Sequence, residues 1–167
     1  MGTNTTHSLS SIAAEQRCDQ YAEEFGLNAQ LDPYLGTLYM HAGPESGIRV
    51  VSMPKSIGTL MRTRLLQLDI RAPVISHVSV TDACGHDRRW QFLATAAPED
   101  AGLQRELAFS AVLLVHKVTA FLGLRISLPM PGDPRHIWID PPVKDEIPLF
   151  RDLVDGIRHT FTTMGPS

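Results

Sequence analysis

The spacing of apolar and polar positions changes several times along the chain, and each change marks an element. Residues 10–28 carry a thin apolar stripe, Ile12, Tyr21 and Phe25, in an otherwise polar segment. This predicts a surface helix with Ser10 or Ser11 at its start and Gly26 at its end. Two β-rich runs, GTLYMHAG (36–43) and GIRVVSM (47–53), flank the turn residues Pro-Glu-Ser and predict a hairpin. Ser52 and Pro54 then open a second helix over 52–68, in which Ile57, Leu60, Met61, Leu65 and Leu68 recur at helical spacing. APVISHV (72–78) and RRWQFLATAA (88–97) read as two strands joined by a polar loop. Strand alternation places Trp90 and Phe92 together on one core-facing side.

The pattern is less decisive beyond residue 98. Pro98, Glu99 and Asp100 suit the first turn of a helix, because carboxylates there complement its dipole. Leu103, Leu107, Ala111, Leu114 and Val118 continue a helical stripe, and Gly123 offers a stop. The β-branched run VLLVHKV inside this segment also reads as a buried strand, and periodicity does not separate the two for a run apolar all round. The expectation is a helix from about residue 99 into the middle of the 107–124 run. LRISLP (124–129) and HIWID (136–140) follow as short strands around the turn-rich MPGDPR, and residues 143–161 form a last helix with Leu149, Leu153, Val154 and Ile157 inward. Together these elements predict an α+β fold: a mostly antiparallel sheet of five to seven short strands with helices packed on it. The order is helix–hairpin–helix–strands–helix, analogous to roadblock and profilin-like domains. It forms one domain over 11–163 behind a disordered tail at 1–10.

Composition narrows the class of partner. A chain of 167 residues supports a single core. Its net charge of −3 and pI near 6.1 argue against a wholesale grip on nucleic acid or anionic membrane. The most apolar run, 107–124, is interrupted by His116 and Lys117 and reads as core rather than a membrane span. The first residues lack the basic and apolar stretches of a secretion signal. The two cysteines, Cys18 and Cys84, form no disulfide framework, so a reducing cytoplasm is the expected compartment.

The motifs MPKSIGTLMRTRL, PVISH, RRWQFL, ISLPMPG and WIDPP, spread over roughly residues 35–160, resemble those of a group of small actinobacterial hypothetical proteins. The resemblance implies no activity. The chain departs from that pattern in one place: the longer VSVTDACGHD replaces the short turn between PVISH and RRW, which makes Cys84 and His86 part of an insertion.

That insertion belongs to the most reactive-looking stretch, HVSVTDACGHDRRWQF (77–92). It reads first as a solvated hairpin loop. His77, Cys84 and His86, with Asp82 or Asp87 in support, are the candidate ligands for zinc, because Gly85 allows the bend a Cys-x-His chelate needs; the paired spacing of established zinc motifs is absent. Cys84 as a nucleophile beside His86 or His77 lacks a shielded pocket. A third constellation joins Lys55 and Ser56, at the start of the second helix, to Arg88 and Arg89 as a cradle for a small anion. A fourth, Arg62, Arg64, Arg71, Arg88 and Arg89 as a nucleic-acid patch, has no aromatic platform. No constellation is recognisably catalytic and no cofactor is called for. The functional expectation is therefore a cytoplasmic, non-enzymatic protein-interaction or regulatory module that pairs with itself or another protein. The alternative is a small anionic-ligand or metal-binding protein, or an enzyme, centred on Cys84, His86, Arg88 and Arg89.

Overall fold

The computed structural model describes residues 5–78, 88–121 and 123–164. In chain order its elements are α1 (Thr5–Phe25), β1 (Gln30–Leu31), β2 (Leu38–Ala42), β3 (Ile48–Pro54), α2 (Lys55–Gln67), β4 (Val74–Val78), β5 (Arg88–Thr95), α3 (Asp100–Ala108), α4 (Ala111–Val115), β6 (Thr119–Ala120), β7 (Leu124–Ser127), β8 (His136–Asp140) and α5 (Phe150–Met164). The fold is α+β, with every strand pair in its sheets antiparallel, as the pattern predicts. The strands divide between two sheets, one ordered β1-β2-β7 and one ordered β6-β3-β5-β4-β8. Opposite Pro-Glu-Ser, a single bridge joins Gly43 to Ile48, but β2 and β3 then part into different sheets, so the expected hairpin is a turn between sheets and not a paired ladder.

Both faces of the large sheet are covered. Strand alternation sends Val51 and Met53 of β3 with Trp90, Phe92 and Ala94 of β5 to one side, where they meet Ile57, Met61 and Leu65 of α2, Leu107 of α3 and Phe150, Leu153, Val154 and Ile157 of α5. The intervening Ile48, Val50 and Leu93, with Ile75 of β4, turn the other way. They pack against Leu38, Met40 and Ala42 of β2, Ile126 of β7 and Tyr21 of α1. Six consecutive residues of β3 and five of β5 are buried in consequence, as a strand covered twice requires, with the polar Arg49, Ser52 and Gln91 among them. Tyr21 fastens α1 to this second core: its buried hydroxyl donates to the Pro129 carbonyl at 2.7 Å and accepts from Trp138 Nε1 at 3.0 Å.

Two glycines set how closely the helices approach. A Cβ on Gly58 of α2 would lie 2.9 Å from the Trp90 ring, and one on Gly156 of α5 would lie 2.8 Å from Leu65 Cδ2 and 2.9 Å from Met61 Cε. The inward face of α2 is therefore Ile57, Gly58, Met61 and Leu65. Leu60 and Leu68, expected inward, are exposed, because Gly58 and not a bulky residue faces Trp90.

Three further expectations are corrected. The 107–124 run is neither one helix nor one strand: α3 stops at Ala108, Ser110 is extended, and α4 lasts five residues before Lys117 turns back with a φ of 56°. Within the predicted stripe, Ala111 and Leu114 are exposed, and Leu113 is buried instead. The last helix starts at Phe150 rather than near residue 143. Pro148 disfavours helix in the residue before it, and the Asp152 carboxylate accepts the Leu149 N–H at 3.2 Å to begin the helix there. Leu149 is consequently outside the buried face.

The glycine contacts predict unequal costs. Gly58→Ala forces a methyl against the indole of a packed tryptophan, so it costs about 1–2 kcal/mol even after the helix-propensity gain of about 1 kcal/mol. Gly156→Ala meets only the flexible ends of Met61 and Leu65 and stays within about 1 kcal/mol of the parent. Thermal denaturation of the two variants checks this, with Gly58→Ala expected to melt several degrees lower than Gly156→Ala.

Candidate functional site

The sequence-predicted residues gather at one end of the large sheet without forming one centre. Arg88 and Arg89 are neighbours in β5, so alternation sends them to opposite faces. On the helix side, Arg88 Nη1 reaches Ser76 Oγ at 3.4 Å and Nη2 donates to the Pro134 carbonyl at 3.3 Å. On the other side, Arg89 Nε donates to Ser52 Oγ at 3.0 Å and Nη2 to the Lys117 carbonyl at 2.6 Å. Pro54 lies opposite Arg89 in the β3–β5 register, which brings the start of α2 beside the β5 backbone. Lys55 and Ser56 nonetheless stay exposed there, and no side chain caps the helix. The two guanidinium groups of the expected anion cradle therefore do not converge on the helix start.

Of the predicted metal ligands, His77 is described, while Cys84 and His86 lie outside the described residues. His77 pairs with His136 across the β4–β8 register, and the two rings stack with centroids 6.3 Å apart. His136 Nδ1 in turn meets Asp133 Oδ2 at 2.8 Å, while Asp140 bonds Arg62. Among the described residues, no three His, Cys, Asp or Glu side chains converge to hold a metal ion.

The electrostatics of this row follow from burial. His77 Nε2 is buried and has no hydrogen-bond partner among the described residues. Desolvation lowers the pKa of His77 below that of an ordinary imidazole. The Val78 backbone works against this, while the nearby His136 and Arg89 add to it. Burial alone would raise the carboxyl of Asp133, but the hydrogen bonds from His136 and Arg135 outweigh it and hold the group at about 2.

One feature of the surface has no counterpart in the sequence-based expectations. The turn after α3 and the short helix α4 leave Phe109, Val112, Leu114 and Val115 exposed at 76%, 56%, 57% and 79%. The local cause is geometric. α4 makes little more than one turn, so a single residue, Leu113, reaches the core while its neighbours face out. The Val118 N–H closes back onto the Leu113 carbonyl at 2.8 Å and fixes the helix end. The sequence signal was there as an apolar run too long for the number of inward positions a broken helix provides.

No family model, curated protein or solved structure matches the chain. Among the described residues, no helix is long and apolar enough to cross a membrane.

The state of His77 predicts an acid limb in stability. Its folded pKa lies below the unfolded value, so below about pH 6.5 the unfolded chain binds the extra proton and stability falls as the pH drops. Asp133 contributes only lower, as pH falls through 3.8 towards 2. Urea denaturation at pH 7.5 and pH 5 is expected to show a smaller loss for His77→Phe than for the parent; equal losses in both would contradict the assignment.

Proposed function

We propose that the protein is a non-enzymatic, cytoplasmic interaction module that pairs with a second copy of itself through the apolar knuckle Phe109–Val115. The exposure of four large apolar side chains within seven consecutive residues carries this reading. Side chains of this size each present on the order of 100–200 Å², so the knuckle offers roughly 400–500 Å² of apolar surface. That is the upper range of what a soluble monomer leaves uncovered. Two knuckles placed face to face hide about 800–1,000 Å² in total, and a modest polar rim brings the contact to the lower bound of a specific interface. A two-fold pair is the simplest closed arrangement for a patch that must find its complement, since each copy offers the same surface. The surroundings supply charged residues for a rim: Arg105 and Glu106 are exposed on α3, and Lys117 is exposed at the end of α4.

The chemistry of the remaining surface agrees with a binding role. The reactive-looking arginines are engaged with Ser52, Ser76 and main-chain carbonyls, as a scaffold uses them.

Sedimentation velocity tests the reading. The parent is expected to sediment as a dimer of the 18.4 kDa chain at micromolar concentration, and Val115→Glu as a folded monomer. Because Val115 is exposed, the variant keeps the core intact, which circular dichroism checks. A parent that stays monomeric across this range, or a dimer unchanged by Val115→Glu, would overturn the proposal.

A further inference from the structure

A cleft of about 350 Å³ opens between the C-terminal half of α2 and the segment that follows β8. Leu65, Ala72 and Phe92 lie buried beneath it, and Leu66, Ile70 and Val143 present its apolar surface. Ile70 is held in place by the way α2 ends. Asp69 takes a left-handed conformation with φ 58°, the Ile70 N–H returns to the Leu65 carbonyl at 2.9 Å, and the Asp69 N–H returns to that of Leu66 at 3.1 Å. This is the Schellman arrangement, which packs the residue after the turn back onto the last turn of the helix.

Four charged side chains line the cleft, and they are not equivalent. Arg62 and Asp140 are closed on each other: Nη2 donates to Oδ1 at 2.8 Å and Nε to Oδ2. Arg71 and Glu146 are open. Both are exposed at the same cleft, and they form no ion pair with each other or with any other described residue. An apolar floor beneath one unpaired guanidinium and one unpaired carboxylate is complementary to a molecule with an apolar body and two opposite charges.

We propose that this cleft binds a free zwitterionic α-amino acid with an aromatic side chain. The ring lies against the accessible apolar side chains of Ile70, Leu66 and Val143, and the cleft volume falls in the range of small-molecule sites. The carboxylate meets Arg71, whose planar fork matches it, and the ammonium meets Glu146. A ligand with only a carboxylate leaves Glu146 facing a like charge, and one with only an ammonium does the same to Arg71. The site shares no residue with the knuckle on α3 and α4, so it stands whether or not the chain dimerises.

Titration of the full chain, followed by amide NMR shifts, tests the assignment with L-phenylalanine, phenylacetate and 2-phenylethylamine as probes. L-phenylalanine is expected to bind tightest and to shift amides of residues 62–73 and 140–146. Arg71→Ala and Glu146→Gln are each expected to weaken it by about two- to fivefold, as solvent-screened pairs do. Phenylacetate responds to Arg71→Ala with weaker binding and 2-phenylethylamine to Glu146→Gln. Val143→Trp, at a half-exposed position on the cleft wall, is expected to block all three while the chain stays folded by circular dichroism. The proposal is overturned if millimolar L-phenylalanine shifts no amide, or shifts only amides elsewhere. It is overturned equally if phenylacetate binds as tightly, or if both charge variants bind like the parent.

Discussion

The structure depends on a central strand pair that is buried on both faces. β3 and β5 run antiparallel along seven paired positions, and nearly every side chain of that pair is withdrawn from water. Large apolar side chains of this kind each contribute about 1.5–3 kcal/mol when fully buried, so neither face can be left open. Two covers answer that demand: α2, α3 and α5 on one side, and the small sheet with α1 on the other. The second cover also explains why β2 seeks β7 across a long stretch of chain rather than joining the large sheet along its length.

Once the covers are in place, the places where they run out are the places left for function. The helix cover thins towards the β8 edge, and the cleft lined by Arg71 and Glu146 opens there. It also ends abruptly at α4, whose single inward residue leaves the apolar knuckle outside. Polar groups at the hairpin end of the sheet are used differently. Arg88 and Arg89 tie strands to neighbouring turns, and His77 is enclosed against His136, so these three described residues of the stretch act as fastenings.

Much of the fold could be read from the residues because its elements obey simple periods. The strands β2 and β3, the helix α2 and the β4–β5 pair all follow from alternation or helical spacing bounded by turn residues, whereas the division of β2 and β3 between two sheets does not. The misreadings have a common physical origin in contacts remote in sequence. Gly58 faces the core because Trp90 fills the space above it, and a hydrophobic pattern assigns no inward role to glycine. The break at Phe109–Ser110 serves the docking of Leu113 and Val118, which the local sequence does not announce. Arg49 is 2% exposed within β3, although its residue type alone suggests an outward position. Of the candidate site, the residues themselves were legible but their directions were not. Arg88 and Arg89 look like one basic pair in sequence and act on opposite faces of a sheet.

Native-state hydrogen exchange tests the central claim directly, because it ranks the strands by the size of the opening that exposes them. If the doubly covered pair holds the fold together, the amides of residues 50–53 and 90–94 exchange only through global unfolding. Those of β1 and β7 then exchange through smaller openings of the second cover. Protection in β7 equal to or greater than that in β5 would contradict the account and place the stable centre in the small sheet.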